Sequence, residues 1–414
     1  MTKKELKELR ARAVAGDAQS QCELAEYYND ISYGSRKYES KVYYWYDKAC
    51  EQGYTEGEYG YGWCLYYGVG IRVCQAELSL EYFLKAAQKG HVGAMKMLFE
   101  LYSFKLSFDK RDFNEAVFWI KKVAETGDAD AEYELGDAYL HGFVFSRFSK
   151  CEFKLNPEEG IKWLKSSAEH KNAKAMVMLG DCYIEGLGVE KNVSTALEWY
   201  ERGAEGRSDG LYKLGELYFN GELVEKDLPR ALDYYERAKK GLNTEAMLKL
   251  GDCYYNGWGV EKNYETALEH YKHAANMDTT DYHGARSNLA LKYARDEVYH
   301  DEFMAVYCLK SVVNYTQNPE VYYEIAKRCL IGLDFRDEEH PYVCYVIHKD
   351  AEDAACYFKL ASKERGGYPP AYLEYGKCLL SGFGVEADKE KAKIWLQKAA
   401  DCGIAEAAEI LKNI

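Results

Sequence analysis

The residues that come nearest to a metal-binding set lie late in the chain. His340, Cys344 and His348 fall at i, i+4 and i+8, downstream of Asp334, Asp337, Glu338 and Glu339. On one face of a helix those three would ligate zinc. Pro341 and the β-branched Val343, Val346 and Ile347 disfavour that helix, and no other Cys or His close in sequence completes a set, so we expect no metal and no cofactor. Gly-x-Gly pairs at Gly68 and Gly70, Gly186 and Gly188, Gly257 and Gly259, and Gly382 and Gly384 have the composition of a phosphate loop. No strand signal precedes them and no Gly-Lys-Ser/Thr follows. His-Glu-x-x-His and the dinucleotide fingerprint are missing too. Acidic residues recur one per repeated motif, about 10 Å apart if the motifs stack as helices, wider than the roughly 5–9.5 Å of a glycosidase pair. The chain therefore reads as a non-enzyme with no small-molecule substrate.

Composition narrows the partner. Of 414 residues 47% are hydrophobic, enough for a large core, and no apolar run approaches the roughly 20 residues of a membrane span. The start, Met1-Thr-Lys-Lys-Glu-Leu-Lys, has no secretory stretch, so the expected location is cytoplasmic. Lys plus Arg number 54 against 68 Asp plus Glu, a net charge of −14 that repels nucleic-acid phosphates and anionic lipid. Protein or peptide partners, basic or amphipathic, are expected; nucleic acid and membrane are not. The 39 tyrosines also suit a homo-oligomer or a subunit of a larger assembly.

The elements that would position these residues repeat along the chain. Ala175-Met-Val-Met-Leu-Gly-Asp-Cys-Tyr183 is echoed by Gly210-Leu-Tyr-Lys-Leu-Gly-Glu-Leu-Tyr218 and by Ala246-Met-Leu-Lys-Leu-Gly-Asp-Cys-Tyr254. The central glycines, Gly180, Gly215 and Gly251, stand 35 and 36 residues apart. Ala175, Leu179 and Tyr183 recur at i, i+4 and i+8, and Ala196, Trp199, Tyr200 and Ala204 form a second apolar stripe, so each unit is a pair of helices. Neither stripe can be buried within one unit, and stacking hides both. Gly-x-Gly supplies positive φ where the first helix stops; Asn156, Asn192, Asp227, Asn263 and Asp388 stand where an N-cap opens the second, with Pro157 and Glu159 adding a first-turn proline and a capping-box acid. Cys64, Cys182, Cys253 and Cys378, each two residues past a motif glycine, read as reduced core thiols, since equivalent positions about 10 Å apart exceed the roughly 7 Å reach of a disulfide.

The pattern Ala-x-x-x-Leu-Gly-x-x-Tyr-x-x-Gly-x-Gly-Val followed by Ala-x-x-Trp-Tyr-x-x-Ala resembles the Sel-one-like repeat (SLR) family, relatives of the tetratricopeptide repeats, over nearly the whole chain. The resemblance implies an all-α fold, a right-handed α/α superhelical solenoid of about ten helix-pair repeats. Residues 1–414 would form one solenoid, with cap helices at 1–15 and 404–414 and insertions at 143–155 and 333–350. Units led by Ala18, Ala94, Ala285 and Val321 are degenerate; Phe99 and Ala290 replace the motif glycine in two of them. Family members are typically adaptors, assembly factors or host-interaction proteins. Secreted cysteine-rich relatives have been linked to β-lactam hydrolysis, but their cysteine pairing is not reproduced here.

In tetratricopeptide-like arrays the first helix of each pair lines the concave surface, so the resemblance implies which residues face a partner. The residue after the motif glycine would point inward: Trp63, Asp137, Asp181, Glu216, Asp252 and Lys377. Beside it come Leu140, Ile184, Phe219 and Tyr255, and from two places before the motif leucine Tyr133, Val177, Tyr212 and Leu248. Four consecutive acids flanked by aromatic and aliphatic residues suit a basic amphipathic segment. In the first insertion Phe145, Arg147 and Phe148 mix aromatic and basic character and form a candidate second docking point. His270 and His273 read as surface residues.

Overall fold

The computed structural model describes residues 1–32, 35–105, 112–142, 154–282, 284–336, 344–363 and 367–414. It divides into two compact units, Met1–Gly210 and Leu211–Ile414.

In the first unit α1 (Lys3–Val14) precedes five helix pairs: α2 (Ala18–Asp30) with α3 (Arg36–Glu51), α4 (Thr55–Tyr67) with α5 (Ala76–Gln88), α6 (Val92–Glu100) with α7 (Phe113–Ala124), α8 (Ala129–His141) with α9 (Pro157–Glu169), and α10 (Ala173–Glu185) with α11 (Val193–Ala204). Five pairs and a last helix make up the second: α12 (Ser208–Asn220) with α13 (Leu228–Lys240), α14 (Thr244–Asn256) with α15 (Tyr264–Met277), α16 (Ala285–Arg295) with α17 (Glu302–Val312), α18 (Pro319–Ile331) with α19 (Ala351–Lys363), α20 (Pro369–Ser381) with α21 (Lys389–Asp401), and α22 (Ala405–Lys412). This is the all-α repeat solenoid expected, with ten pairs among the described residues. None of the described helices is long and apolar enough to cross a membrane.

One contact recurs in the clear units. The motif glycine of each first helix lies beneath a bulky side chain of the second. A Cβ on Gly180 would sit 2.4 Å from Tyr200 Cε1, and one on Gly215 or Gly251 would sit 2.5 Å from Tyr235 or Tyr271. Leu164 covers Gly136 and Leu396 covers Gly376 at 2.8 Å, and Phe83 covers Gly62 at 3.1 Å. Each covering residue is buried. Where it is tyrosine its hydroxyl continues outward to the acid after the glycine: Tyr200 donates to Asp181 at 2.7 Å, Tyr235 to Glu216 at 2.5 Å and Tyr271 to Asp252 at 2.6 Å. Burial, together with the carboxylate, raises all three phenols far above their ordinary range.

The junctions follow the local chemistry read from the sequence. Gly257 and Gly259 have φ of +76° and +72°, and a Cβ on Gly259 would meet Leu228 Cβ at 2.8 Å, so only glycine serves there. Asn156, Asn192, Asp227, Asn263 and Asp388 each accept a backbone N–H of the first turn of a second helix. Cys64, Cys182, Cys253 and Cys378 are buried, which pushes their thiols up to about 11 or 12.

Departures from the regular unit are local. After Phe99, which replaces a motif glycine, α6 ends in a π-helical turn at Leu101–Lys105. The second insertion forms an antiparallel hairpin of β1 (Leu333–Arg336) and β2 (Cys344–Ile347), with Leu333 opposite Ile347. Cys344 is thus on a strand, not on a helix shared with His348, and His340 lies outside the described residues. His270 corrects the surface reading: it is 5% exposed, because its ring stacks on Tyr254 at 5.5 Å between centroids. Burial, aided by Lys239, lowers its pKa to about 4.

Gly251→Ala should cost roughly 1–3 kcal/mol in thermal or urea unfolding, since the added methyl must displace a buried ring. Tyr271→Phe should cost about 1 kcal/mol, because the half-exposed Asp252 can rehydrate. For His270 the unfolded chain binds the proton more readily than the folded one. Stability should therefore fall as pH drops from 6.5 toward about 4, and His270→Phe should flatten that slope in a series of urea midpoints.

Candidate functional site

Helix periodicity brings several of the inward-facing candidates together in the first unit. Tyr133, Glu134 and Asp137 share one face of α8, and Lys174, Val177, Met178 and Asp181 recur at i, i+3, i+4 and i+7 on α10. With Arg207 and Asp209 at the opening of α12 they enclose a cleft of ≈ 340 Å³. Four carboxylates line it against two cations. Arg207 is committed to Asp209, with Nη2 and Nε at 2.5 and 2.9 Å from one carboxylate oxygen. Lys174 lies 5.7 Å from the centre of the Tyr133 ring.

The carboxylates differ in commitment. Asp181 holds the Tyr200 hydroxyl. Asp137 has no such tyrosine, because Leu164 covers its glycine; it meets Nδ1 of the exposed His141 at 2.7 Å. Glu134 is half-buried and makes no hydrogen bond or ion pair among the described residues. Burial, then repulsion from Asp137, holds its carboxyl above the usual range, with Lys174 opposing. Burial and the same acids push the Tyr133 phenol up to about 12.

The other candidates are placed differently. Leu140 is 3% exposed and packs over Gly160, so it belongs to the core, contrary to the inward reading. Ile184 is half-buried, and Trp63 lies against Tyr67. In the second unit Glu216 meets Lys249 at 3.2 Å in addition to its tyrosine. Phe219 packs edge-on to Trp258 beneath Lys226 and Lys249, Tyr255 against Tyr264 and Tyr299, and Tyr212 beside Tyr235. Leu248 packs against the core there, and Lys377 bridges Glu374 and Glu406 at 3.1 and 2.6 Å. Phe145, Arg147 and Phe148 fall outside the described residues.

Sequence reasoning missed Glu134 and Met178. Their common place, immediately before the motif leucine, is the signal that could have found them. It also passed over Gly206-Arg-Ser208-Asp-Gly210, which has the Gly-x-Ser-x-Gly spacing of a hydrolase nucleophile elbow. That motif needs a strand entering the turn; here α11 precedes it and Ser208 opens α12.

Residues 18–54, 55–91, 94–128, 129–172, 173–207, 208–241, 244–278 and 369–404 each match the Sel1 repeat. The fold is similar to that of c5321, a protective antigen present in uropathogenic Escherichia coli strains displaying an SLR fold, at TM-score 0.57 and 26% identity, covering 99% of this chain and 82% of that one. A Sel1 repeat protein from Oxalobacter formigenes gives TM-score 0.52 at 25% identity, over 81% of this chain and 89% of the other. Chitin synthase regulatory factor 2 of Schizosaccharomyces pombe is 31% identical over 107 residues, 25% of this chain, and the match spans 21% of that protein's length.

The raised Glu134 carboxyl sets a sign. The folded chain keeps this proton to a higher pH than the unfolded chain, so stability is lost as pH rises from 4.5 through the folded-state value. Glu134→Gln should raise the thermal midpoint at neutral pH and leave it unchanged well below 4.5.

Proposed function

The chain belongs to the Sel1 repeat family, whose members are generally protein-interaction scaffolds, and from that premise we propose that it is a non-catalytic adaptor gripping a basic, amphipathic polypeptide segment on the first-helix face of its first unit. The cleft between α8 and α10 carries the reading. Its walls combine an aromatic ring, Tyr133, two aliphatic side chains, Val177 and Met178, and a half-buried carboxylate, Glu134, with no hydrogen-bond or ion-pair partner among the described residues. A lysine or arginine entering there would lie over Tyr133 and relieve the repulsion between Glu134 and Asp137, while the aliphatic wall takes an apolar neighbour. Asp181, which lines the same cleft, would act mainly through Tyr200 as a structural acid. The proposed compartment is the cytoplasm, in keeping with thiols such as Cys182 and Cys253 that serve as core packing. A relative named as a regulatory factor of an enzyme fits the role of an adaptor.

Fluorescence polarisation with a labelled amphipathic Lys/Arg peptide tests the proposal. The full chain should bind the peptide, and added salt should weaken binding. Glu134→Lys with Asp137→Lys should reduce affinity by roughly tenfold or more. Glu225→Lys, exposed in the second unit, should leave it unchanged. Equal affinity for the double variant and the parent chain would defeat the reading.

A further inference from the structure

The second unit carries a pocket with the opposite charge. Where α15, α16 and α17 meet, a space of ≈ 270 Å³ opens between the two second helices. Leu289 and Tyr293 of α16 and Met304 and Cys308 of α17 give it an apolar floor, while Lys272 of α15 and Arg286 of α16 stand at its rim. Arg286 donates from Nε to the carbonyl of Ala275 at 3.0 Å, which fixes the guanidinium beside the end of α15. At the Cys308 thiol burial and Asp301 act upward while Arg286 and Lys272 act downward, so both cations are felt at the pocket wall.

The charge balance points to a ligand. Several other cations of this unit are paired within it: Lys249 with Glu216, Arg328 with Glu302 and Glu324, Lys377 with Glu374 and Glu406. Among the described residues neither Lys272 nor Arg286 pairs with a carboxylate. In a chain of net charge −14 such a pair around an apolar floor is complementary to an anionic group joined to an apolar one. The volume is below the ~300–1,000 Å³ of small-molecule clefts, which favours a single anchoring side chain over a whole small ligand.

We propose that this pocket docks an acidic peptide segment of a partner protein, with one bulky apolar side chain seated on Leu289, Tyr293 and Met304 and a flanking carboxylate held between Lys272 and Arg286. The site is independent of the basic-peptide cleft, in the other unit and with the opposite partner chemistry. Charge directs the encounter, and the apolar anchor holds the segment in place.

The test uses the full chain and a fluorescein-labelled peptide with Leu-Phe at its centre and Glu on both sides, read by polarisation. Lys272→Glu, an exposed change that leaves the Arg286 bond intact, should weaken binding roughly tenfold or more. Met304→Trp, which fills the pocket, should do the same. A Gln-flanked peptide should bind more weakly than the Glu-flanked one. Glu134→Lys with Asp137→Lys should keep full affinity for it, which separates this site from the other. Unchanged binding in both Lys272→Glu and Met304→Trp, with circular dichroism showing each folded, overturns the proposal. So does binding of dodecanoate at this pocket with none of the acidic peptide, which would make it a site for an anionic amphiphile.

Discussion

A large side chain lying directly on a glycine is the contact on which the regular units depend. It works because the glycine lacks the Cβ that would otherwise hold the two helices apart, and the ring or branched chain fills the space to interior density. Leu164, Tyr200, Tyr235, Tyr271 and Leu396 all occupy this place. The choice between leucine and tyrosine reaches beyond packing. A tyrosine extends past the glycine and needs an acceptor for its hydroxyl, so the next residue becomes Asp181, Glu216 or Asp252. A leucine makes no such demand, and Asp137, beside the cleft, meets the exposed His141 instead.

That rule explains how much of the molecule was legible in the sequence. Helix pairs, caps and turns were readable because each is set by neighbours within a few residues: an asparagine three places before the N–H that it accepts, or a glycine at positive φ. The places of the acids along the chain were readable, but the commitments of Asp181, Glu216 and Asp252 were not, since each of these three depends on a tyrosine 19 residues away on another helix. The offset is constant and could have been read, had the tyrosines been treated as donors as well as ring-shaped filler. Leu140 and His270 were misplaced for a related reason. Whether a side chain on a half-apolar face is covered depends on what lies across from it, Gly160 in one case and Tyr254 in the other.

The two units treat their charges differently. In the first, the cleft keeps an unmatched carboxylate; in the second, Lys249, Arg295 and Lys377 are laced to nearby acids. Aromatic rings there lie under lysines, as Phe219 does beneath Lys226 and Lys249. A partner approaching these groups would have to break existing pairs before forming its own, and the desolvation cost of doing so disfavours it. On the proposed reading, complementary partners would be directed to the places where charge is left over.

In the eighth and ninth units alanine stands in the glycine's place, at Ala290 and Ala326, and a buried ionic cluster joins the helices. Arg295 of α16 reaches Glu324 of α18 at 2.6 Å, and Arg328 of α18 meets Glu324 at 2.7 Å and Glu302 of α17 at 2.8 Å. These are also the units that fall between the matched Sel1 repeats. A joint made by shape is generic, and any unit carrying the same glycine and ring can occupy it. A joint made by matched charges is addressed to one neighbour. Modules such as the sixth and seventh are in that sense interchangeable, open to duplication or loss, while the eighth and ninth can be inherited only as a couple.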